Sequence, residues 1–164
     1  MNIKFSKELI KGRIAETIFE QMIREEGRYE VLPFGYEHTM PSLAQYRENF
    51  SEISKVIENI SDAPDFALVS NDKKNLYLVE VKYRRMLVSQ DLMKTAEKLL
   101  KHWEYPWLFV ATPHGFYCGQ CKDILAERNI RRLSSNWVQM PRQTEYTKLL
   151  NEFIYPNRFN MTNI

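Results

Sequence analysis

Cysteine is scarce: two residues in 164 cannot build a disulfide framework, and their number suits a reducing, cytoplasmic compartment. Glycine is scarce too. Its five residues form neither a phosphate-binding loop nor a dinucleotide fingerprint, which argues against the common nucleotide-binding folds. Apolar runs are short, and Trp107 to Ala111 falls far below the roughly 20 residues of a membrane span. The opening MNIKFSKELIKGR lacks an apolar signal core, so retention inside the cell is expected. Internal repeats, low-complexity tracts and linkers are also missing, and the chain reads as one domain over 1–164. Its 44% apolar and 27% charged residues exclude wholesale disorder and suffice for a core.

The net charge of +2 hides a polarity along the chain. Residues 14–80 carry a balance of −7 and residues 81–142 one of +6. An acidic half followed by a basic half suits a protein that gathers carboxylates for a metal and cations for a polyanion. Solvated helix faces would look similar.

Periodicity predicts a helix over 6–26, capped by Ser6, with a stripe of Ile10, Ile14, Ile18 (or Thr17) and Met22, stopped by Gly27. Residues 29–37 read as a strand, broken by Pro33 and Gly35 and therefore at an edge or bend. A second helix is expected over 42–60, with Leu43, Tyr46, Phe50, Ile53, Ile57 and Ile60 on one face. Strands 65–70 and 76–82 follow, joined by the turn-forming residues 71–75. Then come a helix over 90–103 burying Met93, Ala96, Leu100 and Trp103, a strand over 107–111 and a short strand at 116–118. A short helix around Ile124 and a closing helix over 143–154 complete the set. This order predicts an α/β fold, a central mixed β-sheet flanked by helices on both faces.

The most informative segment is Leu76-Tyr-Leu-Val-Glu-Val-Lys82. Alternation puts Tyr77, Val79 and Val81 on one face and Leu76, Leu78, Glu80 and Lys82 on the other. Both faces are apolar for most of its length, as in a central strand covered on both sides. Two opposite charges then stand on one face at its end, and burying them unpartnered costs several kcal/mol each. Glu80 and Lys82 must therefore meet each other, a metal or a substrate. The preceding strand opens with Pro64-Asp65, and an antiparallel hairpin would bring Asp65 beside that pair. Two carboxylates with a lysine suit Mg²⁺ or Mn²⁺ and an activated water. The structural alternatives are an aspartate closing a turn and an exposed Glu–Lys pair.

Pro64-Asp65, fourteen intervening residues and Glu80-Val81-Lys82 resemble the signature of the PD-(D/E)XK nuclease superfamily, which includes restriction endonucleases and Holliday junction resolvases. The resemblance implies a restriction-endonuclease-like core and a Mg²⁺-dependent hydrolase, with DNA as the expected partner and RNA also open. It implies that Asp65 and Glu80 ligate metal, that the Val81 carbonyl adds a ligand, and that Lys82 serves the attacking water. In Gly12-Arg-Ile-Ala-Glu16 the matching first-helix acid is Glu16. Many relatives of this size work as homodimers. The superfamily often places a polar residue on the helix after the lysine strand, and Gln90 and Lys94 are the candidates. The rival reading is a non-catalytic nucleic-acid-binding domain with a nuclease-like fold; a second is a protein-interaction module whose charged cluster is structural.

Lys82, Arg84, Arg85, Lys94, Lys98 and Lys101 form a candidate phosphate-binding face, with Arg128, Arg131 and Arg132 as a second cluster. Cys118-Gly-Gln-Cys121 is half a zinc or redox motif, with His114 as a conceivable third ligand; ordinary reduced thiols are the default. Trp103, Trp107 and Trp137 read as core rather than as base-stacking platforms.

Overall fold

A computed structural model gives the structure of residues 2–35 and 62–156. The helix expected over 42–60 and the end of the strand expected to run to residue 37 lie outside these described residues. The elements are α1 (Ile3–Glu26), β1 (Tyr29–Pro33), β2 (Phe66–Ser70), β3 (Leu76–Tyr83), α2 (Ser89–Leu100), β4 (Pro106–Thr112), β5 (Gly115–Gln120), α3 (Cys121–Glu127) and α4 (Met140–Ile154). The five strands form one sheet in the order β1-β2-β3-β4-β5. Only β3 and β4 are parallel, with α2 as their crossover, so the sheet is mixed.

Helices cover both faces, as the two-sided apolar pattern of β3 requires. On one face α1 and α4 bury Phe19, Phe66, Val79, Val81, Phe109 and Leu150. On the other, α2 and α3 bury Leu92, Ala96, Leu99, Leu108, Val110 and Ile124. The early stop of β1 at Pro33 and its place at the sheet edge fit a residue that cannot donate to a ladder.

Two helices differ from the sequence expectation. Helix α1 starts a turn before Ser6: Asn2 is its cap, its Oδ1 accepting the Lys4 N–H at 3.0 Å. Its buried face is Ala15, Ile18, Phe19, Met22 and Ile23, while Ile10 is 57% exposed. Four-residue steps overshoot a 3.6-residue turn, so a stripe drawn at strict fours rotates out of the core. In α2 the buried line is Leu92, Ala96 and Leu99, with Met93 and Leu100 on its flanks. Trp103 lies beyond the helix end, its ring edge-on to Phe34 at 5.5 Å. Trp107 and Trp137 pack half-buried against Tyr29 and Tyr77, as core rather than as exposed platforms.

Candidate active site

The hairpin sets the site. Phe66 pairs with Val79, and the same register carried one step further sets Asp65 opposite Glu80. Pro64 is buried outside the strand, and the Asp65 carboxylate takes up a β3 donor there: its Oδ2 accepts the Val81 N–H at 2.8 Å. Val81 thus meets Asp65 through its backbone, and its side chain is buried in the α1 face. Period-two alternation then places Glu80 and Lys82 together on the α2 face. The Lys82 Nζ donates to Glu80 Oε1, and the Glu80 side chain is 13% exposed.

The carboxylate of Asp65 is pushed up to about 7, first by burial and then by the negative charge of Glu80, with a smaller push from Glu16. Lys82 and the Val81 N–H pull the other way and do not win. Burial lowers the Lys82 ammonium, but the combined fields of Glu80 and Asp65 and its bond to Glu80 raise it above the ordinary lysine value. Glu16 projects from α1 close enough to be felt by Asp65, and its own Oε2 accepts from Arg13 at 2.9 Å. The result is a cluster of carboxyl groups with Lys82 as its internal counter-ion.

Beside it lies a cleft of about 320 Å³ walled by Asp62, Glu80, Lys82, Lys94, Thr95 and Lys98. Of the two candidates on α2, Lys94 lines this cleft, whereas Gln90 is exposed and is not part of its wall. Asp62 accepts an ion pair from Lys98 at 2.9 Å and lies 3.6 Å from His102. Its carbonyl also takes the Trp103 Nε1–H at 3.2 Å, tying the far end of α2 to the approach to β2. Arg84 is engaged by Asp91 of α2. Arg85 is exposed and lines a different hollow.

Sequence reasoning missed two supports of the site, Asp62 and Gly35. Phe34 and Gly35 N–H both donate to the Asp65 carbonyl, at 2.9 and 3.0 Å. A Cβ on Gly35 would stand 3.2 Å from Asp65 Cα and 3.5 Å from the Pro64 carbonyl. Gly35→Ala is therefore expected to displace Asp65 and destabilise the fold by about 1 kcal/mol. Thermal melts read the stability loss, and unchanged melting would show that the crowding is harmless.

The remaining candidates do not join the site. Cys118 lies on the α1 face and Cys121 is buried in the α2 face, so the sheet separates them. Burial raises both thiols, Cys121 to about 12, which keeps them protonated. Arg131 is paired with Glu127, and Arg132 lies over the Tyr117 ring at 4.9 Å. Lys101 is exposed just past α2, and Arg128 is exposed at the end of α3.

As placed, no three acidic, histidine or cysteine side chains among the described residues converge tightly enough to enclose an ion. Mg²⁺ does not require that, since it is commonly held by one or two carboxylates, with waters and substrate phosphate oxygens completing its shell. Asp65 and Glu80 supply hard oxygen donors, and their mutual repulsion is what a divalent cation would relieve. The residues fit such an ion. No family model, characterised protein or solved structure matches the chain.

Proposed function

We propose that the chain is a metal-dependent endonuclease that hydrolyses phosphodiester bonds in DNA, with the site organisation of the PD-(D/E)XK nucleases it resembles. One observation carries this reading: Glu80 and Lys82, with the Asp65 carboxylate close enough to feel both, line a cleft whose wall also presents Lys94 and Lys98. Acids for a cation stand beside cations for a phosphate, which is the pairing that phosphodiester hydrolysis needs.

Asp65 and Glu80 would hold Mg²⁺ or Mn²⁺, with the Val81 carbonyl and Glu16 as further ligands, directly or through water. When bound, the ion supplies Lewis acidity toward water and the phosphoryl oxygens. The chain's own residues do the rest. Lys82 orients the attacking water and offsets negative charge as it builds on the phosphoryl group. Lys94 holds the substrate phosphate from the α2 wall, with Lys98 steadied beside it by Asp62. Asp65 is fixed by the Val81 N–H on one oxygen, within the field of Glu80 and Lys82. By the resemblance, the products carry a 5′-phosphate and a 3′-hydroxyl.

The test is incubation with linear, branched and single-stranded DNA and RNA in Mn²⁺, beside Asp65→Ala and Lys82→Ala. Cleavage by the wild type alone is the expected result. A wild type that binds one of these substrates without cutting would replace this reading with a non-catalytic nucleic-acid-binding domain. Neither binding nor cutting would overturn both.

A further inference from the structure

Parallel strands β3 and β4 end side by side, with Tyr83 paired to Ala111 and the Arg84 N–H continuing the ladder to the Ala111 carbonyl at 2.9 Å. Ligands of α/β sheets commonly sit in the crevice outside such carboxyl ends. Just past these ends lies a hollow of about 250 Å³, lined by Arg85, Met86, Pro113, His114 and Tyr155. No acidic side chain is in this lining among the described residues.

The wall is held rigidly. The His114 N–H donates to Thr112 Oγ1 at 3.1 Å, and that hydroxyl donates to the Gly115 carbonyl at 2.9 Å. Asn151 of α4 donates to the Pro113 carbonyl at 2.8 Å, and the Tyr155 and Tyr83 hydroxyls share a 2.8 Å bond. Arg132 donates to the His114 carbonyl at 2.9 Å and so braces the turn. Only glycine permits that approach: at Gly115 φ is +131°, and a Cβ would stand 2.5 Å from Arg132 Nη1. The turn is thus shaped around a cation that pairs with backbone rather than with an acid.

We propose that Arg85, His114 and Tyr155 seat a backbone phosphate of the DNA, on the far side of the β3 terminus from the catalytic cleft. The proposal rests on the nuclease reading. Two residues separate Lys82 from Arg85, a span of at most ~11 Å of chain, so one strand can engage both places. Arg85 supplies planar, forked donors suited to phosphate oxygens and the imidazole a single donor, while the Tyr155 ring walls the seat.

Binding of a single-stranded oligonucleotide in EDTA, with no cleavage possible, tests this across a salt series. Arg85→Ala and His114→Ala are expected to weaken binding roughly three- to ten-fold and lower the salt slope by about 0.7 per lost phosphate contact. Lys73→Ala, in the β2–β3 turn at the opposite end of the sheet, is the control. Equal binding by Arg85→Ala and Lys73→Ala overturns the seat while leaving the nuclease reading intact. If the wild type binds no oligonucleotide in EDTA, inorganic phosphate decides the seat, and the nuclease reading stands or falls on cleavage in Mn²⁺. Movement of the His114 ring signals by phosphate in wild type but not in Arg85→Ala supports it. No movement in either removes it.

Discussion

Asp65→Asn will raise the melting temperature of the metal-free protein at pH 8 by roughly 4–8 °C while abolishing the proposed cleavage. The carboxylate sits at about 7 in the folded chain against an ordinary 3.8, because burial and then Glu80 disfavour its charge. A group raised by folding adds stability that is complete below its unfolded value and is lost as pH climbs through its folded value. For Asp65 that window runs from about pH 4 to pH 7 and above. Each tenfold gain in proton affinity is worth about 1.4 kcal/mol, so the ceiling is ~4 kcal/mol, and partial access to water brings this to about 2 kcal/mol. Asparagine keeps an oxygen for the Val81 N–H and never ionises, so its melting curve lacks this loss.

Melts in EDTA from pH 4 to pH 8 provide the measurement. The two proteins should converge near pH 4 and separate as pH rises. Addition of Mg²⁺ at pH 8 should raise the wild type toward the variant and move the variant little, because the cation takes over the role of the missing proton. Parallel pH profiles would show that Asp65 is not strained by its neighbours. A residue that costs stability where it stands, and that no packing need explains, is the mark of a site kept for chemistry.

The parts of this site that follow strand geometry could be read from the residues. Turn-forming residues 71–75 dictate the hairpin, Pro64 ends it, and period two then forces Glu80 and Lys82 onto one face with Asp65 opposite. Central burial of β3 was legible for the same reason, since both of its faces are apolar. Helical positions were less legible. A stripe of Ile10, Ile14, Ile18 and Met22 looks regular at fours, yet twelve residues at about 100° each turn its first member a third of a revolution from its last. Gln90 and Lys94 lie one helical turn apart, so only the placement of α2 against β3 selects Lys94 for the cleft. Asp62 carried no local signal, and Gly35 signalled a bend but not its contact with Asp65. Their work is done on Lys98, His102 and the Asp65 backbone, partners set by chain packing and not by nearby sequence. The Cys118–Cys121 spacing invites pairing, but β5 ends and α3 begins between them, so the two thiols fall on opposite sides of the sheet.

Lys82→Met will shift metal-free stability and metal affinity in opposite directions. In the folded chain the Lys82 ammonium is bonded to Glu80 and also faces the charge of Asp65, so it occupies the electrostatic position that a divalent cation would take. Methionine keeps the length and apolar stem but removes the charge. Glu80, 13% exposed, is then left beside Asp65 with no internal counter-ion. Breaking a fully buried pair costs about 3–5 kcal/mol; Lys82 is 35% exposed, so about 2 kcal/mol is expected here, a fall of roughly 4–8 °C in EDTA. A cation entering the wild-type site must displace the ammonium from Glu80, whereas in Lys82→Met it meets bare carboxylates. Mn²⁺ should therefore bind the variant about ten-fold more tightly, a difference of ~1.4 kcal/mol, and raise its melting temperature by more than it raises that of the wild type. The proposed cleavage should nonetheless be lost, because the group assigned to orient the water is gone. Calorimetric titration with Mn²⁺ alongside melts in EDTA and in Mn²⁺ separates these effects. Equal or weaker Mn²⁺ binding by the variant would mean that Lys82 does not compete with the metal for Glu80. The Glu80–Lys82 pair would then belong to the architecture of β3 and not to its chemistry.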